Sequence, residues 1–546
     1  DKSNRLRPKG GSLKEIEGRL REEAERAGGV VALAYNRPSR SLGEITALAV
    51  LEGGGVRRRR LRLGDWRLDL LMAERRLFEG DVEASTLLDT AAGRLLIPYK
   101  AIIGDEYLSE WEERYRRRRI LESLRALILE RPQLSRELRI DPRYFAYDIL
   151  MSLSHILPQA EEELEGLERS TPRGLLKTLR GLEEEGCIRL EDGYVVIDEN
   201  YIDGVLKSGS RTLEQLESIR RAIRELIADG VSGILDLLRG LPLYPLIEEA
   251  IPGLRERLPQ PERFLYFPTA RGLTSLSESV SVEELVSRLE PEAEAEEVEL
   301  RRVGGVLNEV YLLTYKVEDE RRRAVVKWYP NWTTLKWTPV ALWTLGTRGF
   351  AISGRERMER ECASTLFLIR GGIPVPRVLY ASFRDRLLVK EYVEGVHLVE
   401  VVKSILRGEA EPSEEEAIRR LGETLAMIHG LGATVGDCKP DDFILSDGKP
   451  ILVDLEQGSR GGDASWDAAE FLYFSGRYAN PLDPLEGAER LVELFTEGYI
   501  RGGGDPKTLR EAGRLRYWKV FTPLVLPQVL YTISRSLGKI VDAAEL

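Results

Sequence analysis

Short apolar blocks run along most of this chain, separated by glycine, proline and charge, and their period changes repeatedly. Leu13 to Arg26 reads as a helix. Val30-Val31-Ala32-Leu33-Ala34-Tyr35, Ile45 to Leu51 and Leu68-Asp69-Leu70-Leu71 predict three strands of a compact α/β unit that extends to about residue 105. The Gly53-Gly54-Gly55 turn joins the second strand to a basic run, Arg57 to Arg60. Ser109 to Ile128 predicts a long helix carrying Arg114 and Arg116 to Arg119, with further helical segments from Ser135 to Leu167. Ser170-Thr171-Pro172 then supplies an N-cap and a first-turn proline for a helix Arg173 to Glu185 that stops at Gly186. A tight hairpin follows, Cys187 to Leu190 and Tyr194 to Ile197, turned by Glu191-Asp192-Gly193. Residues 200–288 read as mostly helical, with a proline-rich passage from Leu241 to Pro268, and the acidic stretch Glu290 to Glu297 is the expected domain boundary.

Beyond that boundary the strand pattern returns. Val298 to Tyr315 predicts two strands around Gly304-Gly305, and Ala324-Val325-Val326 a third that ends in Lys327. A helix from Arg355 to Leu368 is broken by Gly372-Ile373-Pro374-Val375-Pro376, which leads into strands Arg377 to Ala381 and Arg386 to Glu391. Ala417 to His429 is an amphipathic helix. It opens onto a polar loop, a short strand, a turn at Asp447-Gly448 and an apolar strand, Ile451 to Val453.

Composition narrows the class. A chain of 546 residues is too long for one core, and about two to four domains are expected. No stretch approaches ~18 uninterrupted apolar residues, so the chain reads as soluble and cytoplasmic, with no membrane partner. The three cysteines form no CxxC and only three histidines occur, which argues against zinc, disulfide-framework and histidine-based metal chemistry. Charge is abundant on both signs, as on a thermophile's ion-pair-rich surface. The net charge of -11 argues against generic polyanion binding by the whole molecule, though not against local basic patches.

The candidate chemistry centres on Ile428 to Glu456, where Asp437/Asp441/Asp442 and Asp454/Glu456 sit at the two ends of one hairpin. Such a hairpin can set a base beside divalent-metal ligands, and phosphoryl transfer asks a protein for that placement and for charge neutralisation. Gly436-Asp437-Cys438-Lys439-Pro440-Asp441-Asp442 resembles the protein-kinase catalytic loop, and Asp454-Leu455-Glu456 stands where kinases carry D-F-G. With Gly-Ile-Pro-Val-Pro upstream, the resemblance is to the minimal atypical kinases, the RIO group and the small kinase of the KEOPS complex, from about Glu297 onward. It implies Asp437 as catalytic base, Lys439 offsetting charge on the phosphoryl group, and Asp442 and Asp454 as ligands for Mg²⁺ or Mn²⁺. It also implies ATP held by Lys327 with a helix glutamate, Glu361 or else Glu359, under a phosphate-covering turn at Gly304 and Gly305, beside a hinge that includes Glu391. The activity implied is ATP-dependent serine/threonine phosphotransfer to a protein. The alternatives are a pseudokinase-type nucleotide-binding scaffold in RNA or ribosome-linked assembly, and a small-molecule kinase of the aminoglycoside or choline type. Two departures stand out: Asp442 replaces the metal-binding asparagine, and Glu456 replaces the glycine of D-F-G.

The expected fold class is α+β multidomain, with a bilobal kinase-like domain over 293–546. A small α/β domain over 1–120, a helical and winged-helix-like region over 121–200 and a helical connector over 201–292 precede it. The first of these faintly resembles a minimal nucleotidyltransferase that keeps Glu44 and Asp69 but has Thr46 for the second carboxylate, which implies lost catalysis. Arg57–Arg60 and Arg116–Arg119 are candidate contacts for RNA or ribonucleoprotein phosphates, against the plainer reading of a solvated helix face. The aromatic-rich insertion over 328–353 is expected to plug the space between lobes or domains.

Overall fold

Strand Ile45–Leu51 has no polar alternation because both of its faces are covered, and the N-terminal unit is built around it. The computed structural model describes residues 13–38, 43–154, 156–157, 159–167, 172, 174–208, 261–292, 296–304, 309–330, 351, 354–480 and 484–544. Gly305, Ser170 and Thr171, the helices expected between 211 and 238, and most of the aromatic insertion lie outside these residues. The chain forms two compact units, residues 1–132 with 139–265, and residues 133–138 with 266–546.

In the first unit, α1 (Leu13–Ala27) leads into a five-stranded sheet of order β3-β4-β2-β1-β5. The strands are β1 (Val30–Asn36), β2 (Glu44–Leu51), β3 (Val56–Leu63), β4 (Trp66–Glu74) and β5 (Tyr99–Ile103). β2 and β4 run parallel, with Thr46 opposite Asp69, and the other pairs are antiparallel. Ala47, Ala49 and Leu51 pack with Ile16, Leu20 and Ala24 of α1. Leu48 and Val50 face the other way, onto Phe78 and Val82 of α2 (Arg75–Ala84) and Trp111 and Tyr115 of α3 (Asp105–Glu130). A sheet covered on both faces reads as continuous apolar runs.

β3 is not apparent in the sequence, since four consecutive arginines show no period of two. It forms as an exposed edge strand whose charges pair backwards. Arg58 grips Asp69 through Nε and Nη2, each at 2.7 Å, Arg94 adds a contact at 3.3 Å, and Arg59 reaches Glu23 at 2.7 Å. Burial alone raises the Asp69 pKa, but the Arg58 hydrogen bonds and the Arg94 charge hold it below the usual carboxylate range. The carboxylate expected as a catalytic relic is thus committed to guanidinium groups, and Thr46 donates to Asn36 at 2.9 Å.

In the Arg116–Arg119 run, the candidate phosphate contact of α3, the guanidinium groups have carboxylate partners within the protein. Arg118 and Arg119 both bind Asp89, at 2.5 and 2.6 Å, with side chains 14% and 2% exposed. Arg116 pairs with Glu112 and Arg117 with Glu185, so the run mostly ties α3 to its surroundings. Asp89→Asn is expected to cost about 3 kcal/mol, because two largely buried guanidinium groups lose their closest counter-charge and keep only the more distant Glu122. Burial raises the Asp89 pKa, yet Arg119, Ser85 and Arg118 together lower it. A depressed folded pKa means this stabilisation is present above the unfolded value, ~3.9, and is lost progressively as pH falls from there through the lower folded value. Urea midpoints from pH 7 down to pH 3 for the wild type and Asp89→Asn check this. The gap between the two curves should narrow in acid, and a constant gap contradicts the pairing.

The first unit continues through β6 (Arg139–Ile140), α4 (Arg143–Ser154), α5 (Gln159–Gly166) and α6 (Leu175–Glu184). α6 begins after Gly174, whose φ is 83°. The hairpin of β7 (Ile188–Glu191) and β8 (Tyr194–Ile197) turns at Asp192 and Gly193, with φ of 49° and 84°. Positive φ at both central residues is the geometry that favours Asp-Gly. β8 also pairs with β6, Val195 to Ile140, and α7 (Glu199–Ser208) follows.

In the second unit, the hairpin β9 (Leu265–Thr269) and β10 (Gly272–Ser275) precedes α8 (Val282–Leu289). An antiparallel sheet of order β11-β12-β13-β15-β14 follows, with β11 (Glu296–Gly304), β12 (Glu309–Val317), β13 (Glu320–Trp328), β14 (Val378–Ser382) and β15 (Leu387–Glu391). Leu285 and Leu289 of α8 bury one face of it with Leu313, Tyr315, Ala324, Val326 and Val389. Between β13 and β14 lies α9 (Gly354–Arg370). Glu137, whose side chain is 1% exposed, receives Arg370 and Arg460 at 2.6 and 2.7 Å and so fixes the end of α9.

The rest is helical apart from short strands. It comprises β16 (Val396–His397), α10 (Leu398–Leu406), α11 (Pro412–Gly430), β17 (Ala433–Thr434), the hairpin β18 (Phe443–Ser446) and β19 (Lys449–Leu452), and β20 (Ser459–Arg460). α12 (Ala464–Ser475), α13 (Leu485–Arg501), α14 (Pro506–Ala512), α15 (Leu515–Trp518) and α16 (Pro527–Ala544) complete it. α11 and α13 meet backbone to backbone, since a Cβ on Gly498 would stand 1.9 Å from the Arg419 carbonyl oxygen. Among the described residues no helix is long and apolar enough to cross a membrane.

Candidate active site

Lys327 is the penultimate residue of β13, and its ammonium enters a buried cluster. Nζ lies 2.9 and 3.0 Å from the two oxygens of Glu361 on α9, and 3.2 Å from Oδ2 of Asp454. Glu359, the other candidate partner, pairs instead with Arg355 at 3.0 Å. The Glu361 side chain is 0% exposed and takes two more donors, the Tyr329 hydroxyl and Lys390 Nζ, the latter at 2.7 Å. Burial pushes the Lys327 ammonium down, but Asp454 and Glu361 outweigh it and hold the group above the usual lysine range. For Lys390 burial wins, and its pKa falls below that range. Burial raises the Asp454 pKa, but Lys327, the Glu456 amide and Lys390 together hold it below the usual carboxylate range, and its side chain remains 31% exposed.

The second half of the site is the loop after β17. Val435 and Gly436 donate their amides to Asp467 at 2.7 and 2.8 Å, and His429 Nε2 lies 3.2 Å from the same carboxylate. His429 Nδ1 contacts the Tyr499 hydroxyl at 2.7 Å, so the imidazole is a packed helix-end group. The loop, anchored from beneath, presents Asp437, 22% exposed and ion-paired with Lys439. Glu470 lies under it, one turn beyond Asp467 on α12, and accepts the Cys438 amide at 2.9 Å and the Trp466 indole at 2.8 Å. Burial first, and then the Asp437 charge, push the Glu470 carboxyl well above its usual range. Sequence reasoning missed Glu470, and its spacing of three from Asp467 was the available signal. Cys438 is buried with its thiol pushed up, which removes thiolate chemistry.

Asp442 and Asp454 come together because β18 and β19 pair Phe443 with Leu452, so both carboxylates emerge at the open end of the hairpin. The turn at its other end is Asp447-Gly448, with φ of 49° and 71°. Burial, then the charges of Asp437 and Asp454, push Asp442 well above the carboxylate range. Crowded acids in this state suit a hard divalent cation, which relieves the repulsion. Among the described residues no group of three or more His, Cys, Asp or Glu side chains is arranged to hold a metal.

The other expected residues lie apart from this cluster. Gly304 ends β11 opposite Val310. Glu391 turns away from the lysines and pairs with Arg377, its Oε1 2.7 Å from Nε. It lines a separate cavity of about 760 Å³, with Arg271, Arg322 and Tyr392, that contains none of Lys327, Glu361, Asp437 or Asp454. Glu456 forms a buried pair with Arg357 of α9 at 3.2 Å, and Gln457 binds the Ala351 backbone at 2.8 and 3.2 Å.

No family model matches the chain. It is 28% identical over 155 residues to the KEOPS complex subunit Bud32 of Pyrococcus abyssi, a span covering 28% of this chain and 67% of that protein. It is 27% identical over 159 residues to a probable serine/threonine-protein kinase BUD32 homolog of Archaeoglobus fulgidus, covering 29% and 72% of the two chains. A probable bifunctional tRNA threonylcarbamoyladenosine biosynthesis protein of Methanoculleus marisnigri is 26% identical over 148 residues, 27% of this chain and 25% of its own. Among solved structures, WaaP in complex with acyl carrier protein aligns with 44% of this chain and 89% of its own at 14% identity and a TM-score of 0.26. The C-terminal half of this chain therefore has an atypical protein-kinase-like fold that resembles the KEOPS-complex small kinases.

Proposed function

We propose that the second unit is an ATP-dependent phosphotransferase acting on a protein serine or threonine hydroxyl. The observation that carries this reading is the joining of Lys327, Glu361 and Asp454, from three separate elements, in one buried cluster. In this reading Lys327 neutralises nucleotide phosphates while Glu361 aims it. Asp437 accepts or orients the proton of the acceptor hydroxyl, and Lys439 offsets charge on the group in transfer. Asp442 and Asp454 hold Mg²⁺ or Mn²⁺, which when bound neutralises phosphate charge. Asp467 and Glu470 keep the loop that carries Asp437 rigid. A relative named for tRNA threonylcarbamoyladenosine biosynthesis supports an RNA-linked setting for this chain, with the exposed Arg57–Arg60 edge as one cationic surface among the described residues.

The test is transfer from γ-labelled ATP, with Mg²⁺ or Mn²⁺, to the chain itself and to a general protein substrate. Metal-dependent phosphoserine or phosphothreonine is the expected product. Label on an aminoglycoside or choline, with none on protein, would instead assign a small-molecule kinase. Two observations favour a scaffold: an acid crowded by Asp437 and Asp454 stands at Asp442, where kinases carry a metal-binding asparagine, and Glu456 is committed to Arg357. Metal-dependent thermal stabilisation by ATP without turnover would select that second reading.

A further inference from the structure

Lys390 is a second buried cation in the cluster, and the mechanism above leaves it without a task. Val325 pairs with Lys390 and Lys327 with Leu388, so the two lysines stand on the same face of adjacent strands. Both ammoniums bind the same oxygen of Glu361, Lys327 at 2.9 Å and Lys390 at 2.7 Å. Lys390 also donates to the Val453 carbonyl at 3.1 Å, immediately before Asp454. Its side chain is 2% exposed, against 7% for Lys327.

A buried carboxylate needs a counter-charge, and leaving one without it is strongly destabilising. A lysine that serves both a glutamate and a nucleotide must divide its donors when phosphate arrives. Here Lys327 is already divided between Glu361 and Asp454, whereas Lys390 binds Glu361 and the Val453 carbonyl. We infer that Lys390 is a positioning residue that holds Glu361, and with it α9, when Lys327 turns towards a nucleotide phosphate. The inference rests on the nucleotide-binding reading of the site. Through Val453 the same ammonium couples α9 to the strand end that delivers Asp454, so the helix is braced from inside the cleft.

Hydrogen exchange on the full chain, with and without Mg²⁺ and the non-hydrolysable analogue AMP-PNP, tests this. In the wild type, α9 amides should be equally protected or better protected when nucleotide is added. In Lys390→Met they should match the wild type without nucleotide and exchange on the order of tenfold faster with it. Lys327→Met should show no such nucleotide dependence. Phosphotransfer by Lys390→Met should lose kcat with little change in the KM for ATP. Lys390→Gln, which keeps a neutral donor, should fall between. If α9 protection in Lys390→Met is indifferent to nucleotide, the inference is overturned. Loss of protection in both Lys390 variants before nucleotide is added also overturns it, because Lys390 is then a static prop. If the wild type shows no nucleotide-dependent protection anywhere in the cleft, the failure lies with the site reading itself.

Discussion

Asp437→Asn is expected to lower phosphotransfer by about 10²- to 10⁴-fold, the range for loss of a positioned acid–base group, while metal–nucleotide binding stays within about twofold. Asparagine keeps the shape of the side chain but cannot accept the acceptor hydroxyl's proton. The loop need not move, because its anchors lie elsewhere: Val435 and Gly436 are held by Asp467, and Cys438 by Glu470. Labelled-phosphate transfer and a thermal titration with Mg²⁺ and ATP, run on the same preparation, separate chemistry from binding. Equal transfer by both proteins removes Asp437 from the role of base.

Glu361→Gln should produce the largest loss of stability in the second unit, about 3–5 kcal/mol, since it leaves two buried ammoniums without their shared counter-charge. Asp454 still faces Lys327 at 3.2 Å, but Lys390 is left with the Val453 carbonyl and a neutral amide. Tyr329 retains an acceptor, so the loss reports charge and not packing. Urea denaturation at neutral pH measures it. A change below about 0.5 kcal/mol would mean that the cluster is solvated or rearranged in solution.

What the sequence revealed of this site was local, and what it hid was tertiary. Asp437, Asp442 and Asp454 lie within one loop and hairpin, so their spacing and the Asp447-Gly448 turn suffice to bring them together. Lys327 was legible as the end of an apolar strand. Lys390 sits in an equally apolar strand, but its partners come from α9 and from the end of β19, and no spacing rule links these segments. Glu470 was hidden because a buried acid on a helix looks like any solvated one until the overlying loop is placed. In the first unit, the arginine run of β3 concealed a strand, and the arginine run of α3 suggested a surface where Arg118 and Arg119 instead pair with Asp89. Charge counted along a chain says nothing about which charges pair.

The most direct test of the central claim is the crystal structure of the full chain with Mn²⁺ and AMP-PNP, read through the anomalous signal of the metal. The account predicts Mn²⁺ bound by both Asp442 and Asp454, with Lys327 on a phosphate oxygen and Lys390 still on Glu361. Nucleotide bound elsewhere, or Mn²⁺ touching neither aspartate, contradicts it.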